Sequence, residues 1–103
     1  MIRGVHIMKC PLSCKYKFMQ CDFARKNNLS TLDYVIVYYN KLDLQANTDY
    51  EYLEKIFEIF NIDHPDDYKA SSLSVSDIVV LDNKYHYYCD STGWKLLKEE
   101  EIG

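Results

Sequence analysis

Cysteine is the residue type in this chain whose spacing most directly predicts chemistry. Three of the four cysteines, Cys10, Cys14 and Cys21, surround a proline-containing loop, and Cys89 lies far along the chain. Thiolates are preferred ligands of tetrahedral Zn²⁺, and a CxxxC spacing, although looser than that of a zinc ribbon, is within reach of a loop. The sequence therefore predicts a closed zinc site formed by Cys10, Cys14, Cys21 and Cys89.

Two alternatives to this four-cysteine site stay open. A histidine can replace one cysteine as the fourth ligand, and the candidates are His6, His64 and His86. Otherwise the cysteines are small buried apolar residues or free thiols. Structural disulfides are not expected, because we predict a cytoplasmic protein and the cytoplasm keeps thiols reduced.

Acidic residues gather around one predicted helix. Seven of them are candidates for contact with a partner: Asp49, Glu51, Glu54, Glu58, Asp63, Asp66 and Asp67. The formal net charge is -4, whereas residues 1–28 are basic, so the acidic charge belongs to the remainder. Such a surface can imitate nucleic-acid phosphates towards a basic groove; the alternative is an ordinary solvated helix face.

No motif for catalysis is present. The sequence contains no phosphate-binding loop, HExxH helix, EF-hand loop, dinucleotide fingerprint or GxSxG elbow, so we expect no enzyme. A hydroxyl-rich run, Ser71, Ser72, Ser74 and Ser76, precedes Asp77. Short polar side chains of this kind bond nearby backbone groups, so we expect the run to shape a loop.

The best-marked element is a helix that begins after Thr48. Thr48 and Glu51 form a capping box. Four apolar residues then recur at helical spacing and define the buried face: Leu53, Ile56, Phe57 and Phe60. The helix is predicted to end near Asn61, before a His-Pro break.

The segment before this helix contains strand patterns and one short helical turn, and the end of the chain shows no regular pattern. Residues 33–39 are β-branched and aromatic, as in a central strand covered on both faces. Residues 1–8 favour a short edge strand, and residues 15–20 alternate as in a half-buried strand. Residues 22–28 favour one helical turn, and residues 98–103 are expected to fray.

Residues 77–81 and 84–89 predict a β-hairpin. Asp82 and Asn83 between them tolerate positive φ, as a primed two-residue turn requires. Such a turn also sets the strand register. The predicted cross-strand pairs are Val80 with Tyr85 and Ile78 with Tyr87.

Length and composition limit the architecture to one domain. A chain of 103 residues, 48% hydrophobic, has enough apolar surface for a single modest core. We expect an α+β fold in which one main amphipathic helix packs on a small antiparallel sheet. The longest apolar run is far short of the ~20 residues that span a membrane, and no secretory signal is seen. A cytoplasmic monomer without membrane contact is therefore predicted.

Three motifs are similar to one known family. They are a proline-aspartate-aromatic motif at residues 65–68, the serine block SLSVSD at 72–77, and an aromatic strand that ends in DSTGW at 90–94. Together they resemble the YodL-like domain family. On this basis residues 33–97 form a YodL-like core within the single domain, and residues 1–28 form a basic segment that contains cysteines.

The resemblance implies an accessory protein of a Gram-positive mobile element or phage, without established enzymatic activity. With the acidic helix face, it leads us to expect an inhibitor of a host defence nuclease, such as an anti-CRISPR protein that blocks nucleic-acid loading of Cas9. No direct nucleic-acid binding is then expected. The alternative is a small zinc-stabilised regulatory module that binds nucleic acid through its basic residues: Lys9, Lys15, Lys17, Arg25 and Lys26.

Overall fold

Five antiparallel strands form one sheet in the computed structural model, which describes residues 2–102. The strands are β1 (Ile2–Lys9), β2 (Val35–Asp43), β3 (Ile78–Leu81), β4 (Tyr85–Asp90) and β5 (Gly93–Leu96), in the order β2-β1-β3-β4-β5. The helices are α1 (Cys21–Lys26), α2 (Asp49–Ile62) and α3 (Glu99–Ile102), and Thr31–Asp33 is a 3-10 turn. The predicted α+β fold, with one main helix on an antiparallel sheet, is confirmed.

Both faces of the sheet are covered. Helix α2 packs on one face, where Leu53, Ile56 and Phe60 are fully buried among side chains of the strands. Helix α1 and the loops that flank it cover part of the other face, around Tyr88. Because covers lie on both sides, every residue of β3 is buried.

The N-terminal strand and the aromatic strand exchange their predicted places. Strand β1 pairs with both β2 and β3, so it lies inside the sheet instead of at its edge; Met1 is outside the described residues. Strand β2 is an edge strand, and Val35 and Tyr39 are more than half exposed. The prediction of a central strand at residues 33–39 is therefore wrong. Local composition predicts that a segment forms a strand. Which strands pair with it is decided by contacts between residues that are distant in sequence.

The predicted strand at residues 15–20 is also wrong. Backbone hydrogen bonds from Lys17 to Cys14 (3.0 Å) and from Met19 to Tyr16 (2.9 Å) close successive turns there. The Tyr16 ring is buried, and its hydroxyl donates to Asp33 at 2.7 Å. Phe18 instead lies at the surface with a φ of 65°. The alternation of lysine and aromatic residues thus arises from a coiled loop. The predicted helical turn after it is confirmed by α1.

The hairpin is confirmed, but its register differs by one residue. Asp82 and Asn83 both have a φ of 56°, as the predicted turn requires. The pairs, however, are Leu81 with Tyr85, Val80 with His86 and Ile78 with Tyr88. Lys84 closes the turn with its N–H on the Leu81 carbonyl and then lies outside the ladder. This register keeps Tyr87 and Cys89 on the face that α2 covers.

Specific contacts fix the start of α2 and hold the C-terminal helix in place. The Thr48 hydroxyl accepts from the Glu51 N–H at 3.2 Å, so the predicted cap of α2 is confirmed, and α2 ends at Ile62. Residues 98–102 do not fray as predicted, because Ile102 accepts a hydrogen bond from the Thr31 hydroxyl at 2.6 Å; Gly103 is outside the described residues. In addition, Glu101 lies 2.6 Å from Arg25 Nε.

Candidate functional site

The most prominent charged surface follows the outer side of α2 and the loop after it. We call this the acidic surface; its exposed members are Glu51, Glu54, Glu58, Asp63, Asp66 and Asp67. Between residues 51 and 67 the only lysine or arginine is Lys55. Among the described residues, none of these six carboxylates has a salt bridge. Its negative charge is therefore available to a partner.

The helix itself arranges this surface. Since Leu53, Ile56 and Phe60 are directed into the core, Glu54 and Glu58 lie on successive turns of the opposite side. Like charges four residues apart weaken a helix by about 0.2–0.5 kcal/mol. The packing of α2 on the sheet compensates for this repulsion.

Asp49 differs from the other predicted partner-binding residues. Its carboxylate accepts from the Tyr87 hydroxyl at 2.6 Å and pairs with the Arg3 guanidinium, which also binds Asp82. Burial raises the pKa of the Asp49 carboxyl, but the hydrogen bonds from Arg3 and Tyr87 and the charge of Arg3 outweigh it and leave the pKa below its usual value. Asp49 thus joins α2 to the sheet and is occupied within the fold.

Two further acidic residues have local roles as well. The Glu51 carboxylate accepts from the Asn47 N–H at 3.4 Å, beside the helix cap. Asp67 accepts from the Asn40 side chain at 3.5 Å. Both side chains remain exposed, so these contacts leave most of their surface accessible.

The basic residues of the N-terminal segment are mostly paired inside the molecule. Lys9 and Lys17 lie 2.5 and 3.6 Å from the Asp77 carboxylate, and Arg25 binds Glu101. Among the described residues, Lys15 and Lys26 are the members of this group that have no salt bridge. The predicted basic patch is therefore smaller than the sequence implies.

Asp77 connects this N-terminal segment to the serine block. Its side chain is fully buried and also accepts from the backbone N–H groups of Cys10 (3.1 Å) and Ser74 (2.9 Å). Next to it, buried Ser76 accepts the Phe18 N–H on its hydroxyl at 3.0 Å and the Tyr34 hydroxyl on its carbonyl at 2.6 Å. These contacts match the expectation that Asp77 and the serines shape a loop.

The four cysteines are divided between the two faces of the sheet. Cys10, Cys14 and Cys21 belong to the cluster under α1, whereas Cys89 packs in the cluster under α2. Within residues 2–102, no group of three or more His, Cys, Asp or Glu side chains is placed to hold a metal ion. His6 stacks on Tyr39 instead, with ring centroids 4.2 Å apart. Zinc binding stays a prediction, which elemental analysis of protein purified without added metal tests.

All four cysteines are free thiols, and three are buried. Burial raises the pKa of Cys10 and of Cys21 to about 11, and that of Cys89 to about 12. Thiols with such values are poor nucleophiles at neutral pH. Cys14 is half-buried and is the most accessible of the four.

Sequence patterns gave no indication of two features of the surface. Arg3 links α2 to the β3–β4 turn, yet a single arginine in a strand has no local signature. Leu12 and Phe18 are 82% and 57% exposed although their types favour burial. Exposure of this kind depends on the path of the loop and is not visible in periodicity.

Comparison with protein families gives a match. The family model of the YodL-like domain covers residues 3–99, so the chain belongs to this family. The match includes most of β1 and most of the basic segment. Comparisons with curated proteins and with solved structures give no significant match. Within residues 2–102, no helix has the length and apolar character needed to cross a membrane.

Proposed function

We propose that this member of the YodL-like domain family is a mobile-element or phage accessory protein that inhibits a host defence nuclease by stoichiometric binding. The acidic surface docks on a basic nucleic-acid channel and blocks loading of the nucleic acid, without catalysis. Cas9 in the host cytoplasm is the specific candidate. The protein then acts as an anti-CRISPR protein.

The observation that carries this proposal is the unequal use of charge within the fold. The six carboxylates of the acidic surface lie together and have no salt bridge among the described residues, while Lys9 and Arg25 are paired internally. Unpaired negative charge is thus concentrated on this surface. Nucleic-acid channels are basic, and complementary charge accelerates association with them.

Competition with nucleic acid follows from the same charges. Phosphates bind a basic channel largely through lysine and arginine contacts. A row of carboxylates that occupies those contacts excludes the phosphates. Binding also relieves the repulsion between Glu54 and Glu58, because each carboxylate then has a cation nearby.

A cleavage assay with purified Cas9 tests the proposal. The protein is titrated into Cas9 before or after guide and target are added. We expect cleavage to stop near equimolar inhibitor when the protein is added first, and to be much less affected when the nucleic acid is already bound. Complete cleavage at large molar excess, in several Cas9 orthologues and in both orders of addition, would contradict it.

The alternative of direct nucleic-acid binding has less support. It needs Lys9 and Arg25 to contact phosphates, although each already binds a carboxylate within the fold. It predicts tight binding of DNA or RNA that weakens steeply with salt. A mobility-shift titration of the isolated protein at low and moderate salt separates the two functions, since the inhibitor is expected to shift neither nucleic acid.

A further inference from the structure

A second surface lies beside the serine block. It is an open groove of about 690 Å³ between the loop after β1 and residues 70–74, with Val37 of β2 in its wall. Leu12 and Phe18 line it and are largely exposed to solvent. Exposed apolar side chains that lie together and are rimmed by polar groups are typical of protein interaction sites.

The backbone of this groove is held in an uncommon conformation. Phe18 has a φ of 65° and Ser76 a φ of 86°, values that residues other than glycine rarely adopt. A hydrogen bond of 3.0 Å from the Phe18 N–H to the Ser76 hydroxyl joins the two residues. The Phe18 ring is thereby presented to solvent instead of to the core. Strain of this kind persists only where the surrounding structure enforces it.

One charged group in the groove has hydrogen-bonding capacity to spare. The Lys17 side chain is nine-tenths buried, and its ammonium lies 3.6 Å from Asp77, too far for a hydrogen bond. Among the described residues it donates no side-chain hydrogen bond, and the Phe18 ring centroid is 4.7 Å from it. Lys9, in contrast, donates to both Asp77 and the Ser72 carbonyl.

The charges of the groove do not cancel. Asp77 supplies one negative charge against the two ammonium groups of Lys9 and Lys17. The excess positive charge lies at Lys17, next to the apolar wall. A ligand that fits must therefore join an anionic group to a large apolar one.

We propose that this groove binds a linear segment of a protein partner in which an acidic side chain neighbours a large apolar one. The apolar side chain packs against Leu12, Phe18 and Val37, and the carboxylate accepts hydrogen bonds from the Lys17 ammonium. The exposed hydroxyls of Ser71 and Ser72 are available to the peptide backbone. This site binds an anionic ligand, whereas the acidic surface binds a basic partner. The two proposals therefore do not depend on each other.

Nuclear magnetic resonance with defined peptides tests the site. The probe is the N-acetylated, amidated dipeptide of leucine and aspartate, titrated into isotope-labelled protein. We expect saturable shifts of the Leu12, Lys17 and Phe18 amides. Replacing aspartate by asparagine in the dipeptide should weaken binding about tenfold, because a charge-assisted hydrogen bond is lost. Equal shifts with acetate alone would show a simple anion site and overturn the proposal.

Variants of exposed residues keep the test independent of folding. Leu12→Ala should weaken dipeptide binding several-fold, and Leu32→Ala is the matched control, since Leu32 is 86% exposed elsewhere on the surface. Lys17→Met should abolish the preference for aspartate over asparagine. Binding that is unchanged in Leu12→Ala would overturn the proposal even if the Lys17 variant failed to fold.

Discussion

The ammonium of Lys9 lies 2.5 Å from the buried carboxylate of Asp77, although 68 residues separate them in sequence. Lys9 ends β1, and Asp77 ends the serine block just before β3. The contact therefore joins the N-terminal segment to the stretch that carries the family resemblance. The serine block acts as a structural joint, which explains why its carboxylate and the hydroxyls of Ser74 and Ser76 are bound within the fold.

The first prediction concerns this joint. Asp77→Asn keeps the shape of the side chain but leaves the Lys9 and Lys17 ammonium groups without a counter-charge. Removing one partner of a buried ion pair costs about 3–5 kcal/mol, so the free energy of unfolding should fall by that amount. Urea denaturation followed by circular dichroism measures it.

The matched control for this substitution is Asp66→Asn. Asp66 is exposed and has no salt bridge among the described residues, so its replacement should change the free energy of unfolding by less than about 0.5 kcal/mol. Equal stability of the Asp77 and Asp66 variants would contradict the assignment of Asp77 as the joint.

The second prediction concerns pH dependence at Asp49. The pKa of Asp49 is lower in the folded protein than its ordinary value of 3.8, so ionised Asp49 stabilises the fold. This contribution is fully present above that value and disappears as the pH falls through the lower folded pKa. The stability difference between the natural protein and Asp49→Asn should therefore be large near pH 6 and shrink towards pH 3.

Urea titrations of both proteins across this pH range measure that difference. Glu58→Gln is the control, because Glu58 is exposed and has no salt bridge among the described residues. Its stability difference from the natural protein should stay small throughout. If the stability difference between the natural protein and Asp49→Asn does not change with pH, the bonds of the Asp49 carboxylate to Arg3 and Tyr87 are contradicted.

The third prediction concerns the thiols. Cys14 is the most accessible cysteine, and burial protects the other three and raises their pKa. A chromogenic disulfide reagent should therefore modify one thiol rapidly in the folded protein and all four in urea. Rapid modification that appears only after a chelator is added would contradict this pattern and indicate a bound metal.

Local chemistry made part of this structure predictable. The capping box at Thr48 and Glu51, the apolar stripe of α2 and the turn at Asp82 and Asn83 depend on neighbouring residues, so short windows of sequence reveal them. The acidic surface was predictable for the same reason. The exposure of its members on α2 follows from the helical period. Asp49, which was also predicted to bind a partner, is instead bound by a distant arginine.

The remaining features depend on contacts between distant segments. The hairpin register is set by which face α2 covers, and a single extra turn residue, Lys84, shifts it. Residues 15–20 look like a strand because lysines and aromatics alternate, but Lys17 is directed to Asp77 and Phe18 to solvent. The separation of Cys89 from the other cysteines likewise follows from the pleat of β4 and not from spacing along the chain.

The central claim is that the acidic surface blocks a nuclease, and charge reversal tests it most directly. Glu54→Lys combined with Glu58→Lys should weaken Cas9 inhibition at least about tenfold, because like charges then face each other across the interface. The matched control, Glu99→Lys combined with Glu100→Lys, changes the same charge at exposed positions of α3 and should inhibit as the natural protein does. Inhibition that is equally strong in both double variants would contradict the account.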